Sequence, residues 1–289
     1  MRPEVKAAGS PADSYLLTGK TAVLAIIKLA EAFAGGFMLW YLATHMDTFP
    51  NVLRSLLEIS GNDQGRYASV YQSVFRGIQM VMIVQAALII PDGLSGFILR
   101  FTRKGAGMTA FFRLLSFAAC IIGFFLGIAG MVLYCNSVIE AAQSIRRLTI
   151  GDLISIFGTG RVAVFLAVYS IVFLILIIYH YRAGRMLLCV KKEIKTGKKI
   201  DSAKKNRLGS AAAACGAVFA ISIILSVVIL TGNEKELTDI AGFLKPILTA
   251  YRLCGIPGIA AASVLALKFC LINCCCADFR KAHRETNNA

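Results

Sequence analysis

The sequence predicts an all-α integral membrane protein, a six-helix transmembrane bundle with short amphipathic helices on its extracytoplasmic side. Three observations predict it. Apolar residues make up 57% of the chain and charged residues 16%, against about one half and one quarter in soluble domains. The apolar residues gather in six runs, each near the roughly 20 residues that a helix needs to cross a hydrocarbon core. Finally, the connections between the runs alternate between rich and poor in Lys and Arg, which is how membrane topology is written in a sequence.

The runs cover residues 21–44, 73–91, 110–135, 161–181, 210–231 and 255–276. The first follows a charged stretch, as a secretory signal would, but Lys28 and Glu31 interrupt it and it continues to Thr44. It therefore reads as an uncleaved span. The second contains Gln79 and Gln85 and is expected to end at Pro91, Asp92 and Gly93, a turn-like triplet. The third carries Ala119, Gly123 and Gly127 four residues apart, a spacing that lets helix backbones approach closely. Packing inside the bundle is the expected use, with a homodimer interface as the alternative. The fourth, Val162 to Tyr181, is almost entirely aliphatic and aromatic. The fifth is uniformly apolar, and the sixth contains Lys268, with Pro257 and Gly258 near its outer end.

Basic residues then orient the runs. Arg2, Lys6 and Lys20 precede the first, and Arg100, Arg103, Lys104 and Arg113 follow the second. A basic connection, 182–209, follows the fourth, and Arg280, Lys281 and Arg284 follow the sixth. The other connections are poorer. They carry Arg54 and Arg66, then Arg146 and Arg147, then Lys235 and Lys245 offset by Glu234, Glu236 and Asp239. The alternation places both termini in the cytoplasm and the whole chain in the cytoplasmic or plasma membrane as one integral membrane domain. No polar stretch exceeds about 30 residues, too few for a separate core.

The outer connections carry helix signals of their own. Ser137 and Glu140 have capping-box spacing, Asn233 and Glu236 offer a similar start, and Thr48 stands just before Pro50. Each predicts a short amphipathic helix on the bundle or the membrane surface. With the spans they outline a threefold arrangement of hairpins opening near residues 21, 110 and 211, although sequence identity between the units is very weak.

Function is much less legible. The net charge of +15 does not point to nucleic acid, because the basic residues sit in topology-setting connections and the most basic one lacks interleaved aromatics. The histidines His45, His180 and His283 are scattered, with no metal-ligand or HExxH spacing. Cys274, Cys275 and Cys276 are consecutive, unlike zinc ligands paired around a turn. No catalytic set, metal site or cofactor is expected.

Two groups of polar residues remain as candidates. Lys28, Glu31, Gln79, Gln85 and Lys268 lie inside spans, where a charge costs several kcal/mol unless paired or hydrated. At about 1.5 Å per residue, Glu31 lies about 15 Å into its span and Lys268 about 18–20 Å into its own from the other side. The two are placed to pair, as a clamp between first and last helices or as an ion-coupled site. Arg185, Lys191, Lys192, Lys195, Lys198 and Lys199 form the second group. Met186, Leu187, Leu188, Val190 and Ile194 interleave with them, so the fourth helix is expected to continue and bend onto the membrane, where anionic lipid headgroups would meet the basic residues. Docking of an acidic protein partner is the alternative. The expectation is a non-enzymatic structural or regulatory component that binds lipid or a partner, and the competing one is a small transporter or channel. Topology is checked with reporter fusions: one after Lys199 and one within 233–239 should report opposite sides of the membrane, and the same side for both would refute the orientation.

Overall fold

The computed structural model describes residues 12, 16–44, 65–144, 159–198, 200, 207–231 and 255–285. Among them the chain forms six helices and no strand. These are α1 (Gly19–Thr44), α2 (Gly65–Thr102), α3 (Ala106–Ser144), α4 (Thr159–Thr196), α5 (Leu208–Thr231) and α6 (Gly255–Glu285). Five contain a stretch long and apolar enough to cross a membrane: Gly19–Tyr41, Gln79–Thr102, Ala106–Gly130, Ala167–Thr196 and Ile259–Arg284. In α5 the apolar stretch is Leu208–Ile224, within a helix of 24 residues. Phe37, Met80, Phe125 and Ile224 are 62–64% exposed, an arrangement costly in water and expected against lipid. Trp40 and Tyr41, both exposed, stand near the end of α1, where amphipathic rings favour a membrane interface. The chain is an all-α, multi-helix membrane protein.

The structure corrects three sequence expectations. Pro91, Asp92 and Gly93 do not end the second span, because α2 runs unbroken through Pro91 to Thr102. Proline is tolerated inside a membrane helix when neighbouring groups satisfy the freed backbone. The span is thereby displaced toward Gln79–Thr102, which carries Asp92 from a loop into the apolar zone. Ser137 and Glu140 do not start a new helix either, since α3 is continuous from Ala106 to Ser144. A capping box supplies partners for free N–H groups at a helix start, and within a continuing helix those groups already have partners. α4 continues through Arg182 to Thr196 as a single helix, as expected, and the third correction concerns the apolar side of that extension. Its apolar residues Met186, Leu187 and Val190 are buried inside the protein, not laid on lipid. The short outer helices expected at 48–57 and from Asn233 lie outside the described residues.

Short connections follow. Only Arg103, Lys104 and Gly105 separate α2 from α3, and Gly105 has φ 91°, a left-handed conformation that glycine adopts without strain. Just past α4 stands Gly197, with φ 64° and its N–H bonded to Glu193 O at 2.8 Å, a glycine cap of the αL type.

Contacts divide the chain into two compact units. The first takes in residues 1–30, 92–114 and 178–289, and the second residues 31–91 and 115–177. In the first, Leu16, Leu99, Ala106, Ala110 and Leu187 form a buried cluster with Ile194 against it. A Cβ on Gly184 would lie 2.9 Å from Leu114, so α3 and α4 approach closely there. In the second unit, Ala119 is buried, Gly123 faces Val81 and Phe173, and Gly127 faces Tyr169. The Tyr169 hydroxyl donates to Gly123 O at 3.2 Å, and its ring stacks on Phe124.

A Cβ at Gly127 would overlap the end of the Tyr169 ring. Gly127→Ala should therefore destabilise the protein by about 1–3 kcal/mol, the usual cost of overpacking, read as a lower melting temperature in detergent. Combined with Tyr169→Leu the losses should be less than additive. Simple additivity would show that the two residues do not meet.

Candidate functional site

The most demanding chemistry in the first unit is a chain of buried polar and aromatic groups. Asp92, one residue past Pro91 on α2, pairs with Arg113 on α3 at 2.5 Å, with side-chain exposures of 10% and 8%. Neither charge would persist alone in an apolar zone, since removing an unpaired ion from water costs several kcal/mol even after relaxation. A second rung lies beside the pair. Ser95 Oγ donates to Asp92 O at 3.1 Å, and Thr109 Oγ1 lies 3.0 Å from Ser95 Oγ and 3.1 Å from Gly105 O. The rungs join α2 to α3 just before their three-residue turn.

From Arg113 the chain passes to rings. The guanidinium carbon lies 5.8 Å from the Tyr179 ring centre on α4. Tyr179 meets Phe269 of α6 edge-on at 5.0 Å, and Phe269 stacks with Phe219 of α5 at 5.6 Å. Lys268 Nζ lies 4.6 Å from the Phe269 ring centre, and Lys268 is 3% exposed. Two cations thus bracket a pair of aromatic rings, and a desolvated cation over a ring face gains about 2 kcal/mol. Two atoms beside this chain make no hydrogen bond among the described groups, Asp92 Oδ1 and His180 Nδ1.

A second polar pair closes the basic end of the same unit. Glu193 on α4 and His283 on α6 meet at 2.8 Å with exposures of 1% and 0%. Glu193 Oε1 also accepts the Ile200 N–H at 3.0 Å, and His283 Nδ1 lies 3.1 Å from Phe279 O. Lys20 on α1 and Asp278 on α6 form a more exposed pair at 3.0 Å. First and last helices are therefore tied by a salt bridge at their basic ends.

The candidates from sequence fall as follows. Lys28 and Lys268 belong to the first unit, and Glu31, Gln79 and Gln85 to the second. Lys28 lines a cleft with Arg100. Glu31 and Gln79 are half-buried. Gln85 Nε2 donates to Ser116 O at 3.3 Å and lies 3.5 Å from Cys120 Sγ, tying α2 to α3. Arg185, Lys191, Lys192, Lys195 and Lys198 are exposed, and Lys199 lies outside the described residues.

Sequence reasoning missed Asp92, Arg113, Glu193 and His283. For the last two a signal existed. Glu193 continues the apolar stripe of Met186, Leu187 and Val190, and His283 continues that of Ile272, Cys276 and Phe279, so each polar residue occupies a core position. Among the described residues no cluster of His, Cys, Asp and Glu has the makings of a metal site. No protein-family model, curated protein or solved structure matches the chain.

The Asp92–Arg113 pair supplies a test of what the buried charges do. Asp92→Leu should cost about 3–5 kcal/mol, because the arginine is left buried and uncompensated, whereas Asp92→Leu with Arg113→Met should recover most of it. Melting temperatures in mild detergent read this out. A double variant as unstable as the sum of the singles would remove the pair as a structural element.

Proposed function

We propose that this protein is a non-enzymatic, multi-pass membrane component whose basic end binds anionic lipid headgroups from the cytoplasmic side. In this reading both termini are cytoplasmic and the membrane is the cytoplasmic or plasma membrane. The observation that carries it is the partition of charge along the last part of α4. Ala183, Met186, Leu187, Val190 and Glu193 are buried, while Arg185, Lys191, Lys192 and Lys195 stand exposed on the other side. No carboxylate shares the exposed stripe, because the local acid, Glu193, is turned inward to His283. Near an anionic leaflet each such basic group contributes about 1 kcal/mol. An acidic protein partner would meet the same stripe.

The second reading, a small-solute or ion transporter, is favoured by the unpartnered Asp92 Oδ1 and His180 Nδ1. Against it, Asp92, Arg113 and Lys268 are 3–7% exposed, which favours dry packing over a hydrated pathway.

Lipid analysis of protein extracted in mild detergent from its own membrane decides between them. Anionic lipid enriched over the bulk membrane, and reduced in a variant with Lys191→Gln, Lys192→Gln and Lys195→Gln, is the expected result. Removing three basic groups at about 1 kcal/mol each corresponds to a loss on the order of a hundredfold in affinity. A retained small solute, with lipid content unchanged in the triple variant, would favour transport instead.

A further inference from the structure

The first unit contains a small, partly open cleft of about 40 Å³. Lys28 of α1 and Arg100 of α2 line it, with Leu16, Leu24, Leu99 and Leu187 as apolar walls. Among the described residues no carboxylate lines it. The Lys28 stem passes Gly96, where a Cβ would lie 3.8 Å from its Cδ. That is one helical turn before Arg100, so two cations follow one another along the same face of α2.

Among the described residues Arg100 is only partly satisfied. One of its terminal nitrogens donates to Thr18 O over a long 3.4 Å. Arg100 Nε is buried without a hydrogen-bond partner, as is Thr18 Oγ1 beside it. A guanidinium offers five donors in a planar fork that matches a phosphate, and buried donors are normally used. The position adds the second half of the specification. Arg100 stands at the end of the α2 span, and Val23, Ile26, Ile98 and Phe101 on the same two helices are 47–60% exposed as lipid-facing surface. A soluble phosphate would gain nothing from these walls, whereas a phospholipid would use both them and the cations.

We propose that this cleft is a specific site for the phosphate of one anionic phospholipid, held between Arg100 and Lys28 with an acyl chain along the α1–α2 exterior. The proposal rests on the reading that the basic end binds anionic lipid, and it names a single site separate from the α4 stripe.

The test is native mass spectrometry of the full chain in detergent, titrated with phosphatidylglycerol, phosphatidylcholine or inorganic phosphate. One phosphatidylglycerol should bind ahead of all others and ahead of phosphatidylcholine. Arg100→Gln should weaken that first step about tenfold, the scale of one charge-assisted contact. Gly96→Leu, which fills the cleft and keeps both charges, should weaken it as well, so the outcome does not depend on one variant folding. The α4 triple variant should leave the first step unchanged. Equal first-step affinity for the two lipids, or a first step insensitive to both cleft variants, overturns the site. Loss of the first step in the α4 triple variant alone overturns the site and leaves the α4 reading standing. Displacement of the first lipid by inorganic phosphate overturns the assignment to a lipid.

Discussion

An ionised side chain inside an apolar zone is tolerated only where another group compensates it, and Asp92 and Arg113 are where this protein meets that constraint most severely. The acid lies on α2 and the base on α3, 2.5 Å apart and nearly inaccessible. Because only three residues separate the two helices, a displacement of one helix against the other by a single turn would strand both charges. Pairing thus fixes the register of the hairpin more strongly than the apolar contacts around it, which tolerate sliding among similar side chains. Ser95 and Thr109 add a second rung to the same side, and Arg113 carries the constraint on to Tyr179 of α4. The helices of the first unit are positioned from this point.

At the basic end the same principle is applied with different chemistry. A backbone carbonyl only accepts, so the His283 nitrogen facing Phe279 O has to carry a proton to bond it. The other ring nitrogen faces Glu193 Oε1 at 2.8 Å. Oε1 then accepts the Ile200 N–H from the connection that follows α4. One carboxylate therefore binds α4, α6 and the start of the basic connection together, with no exposure to water. Lys20 and Asp278 make a weaker tie outside it, since an ion pair that is half in water is worth little.

What the sequence revealed and what it hid follow from the range of the interactions. Hydropathy is a local property summed over about 20 residues, so the all-α membrane fold and the positions of α1, α5 and α6 could be read directly. Signals resting on two or three residues misled. Pro91 with Gly93 resembles a turn, and Ser137 with Glu140 resembles a helix start, until the surrounding chain satisfies the backbone and continues the helix through both. The pairs between helices were hidden because they join residues far apart in the chain: Glu193 and His283 are 90 residues apart. A lone acid in a basic stretch looks like charge balance. Its position on the apolar stripe of α4, in step with Met186 and Val190, marks it as interior, and reading polar residues by helical phase would have found it.

That phase also connects the buried pairs to the surface chemistry. Side chains on a helix repeat every 3.6 residues, so fixing the buried stripe of Met186, Val190 and Glu193 fixes where every other residue of the segment points. Glu193, held by His283 and by the Ile200 N–H, prevents rotation of α4 about its axis at the place where the span gives way to polar sequence. Arg185, Lys191, Lys192 and Lys195 are consequently displayed on one face of a folded helix and not on a loop. An array that is already ordered loses less conformational entropy on binding than a flexible one. The inward acid therefore acts twice: it removes a negative charge from the basic stripe, and it holds that stripe in a fixed orientation on α4.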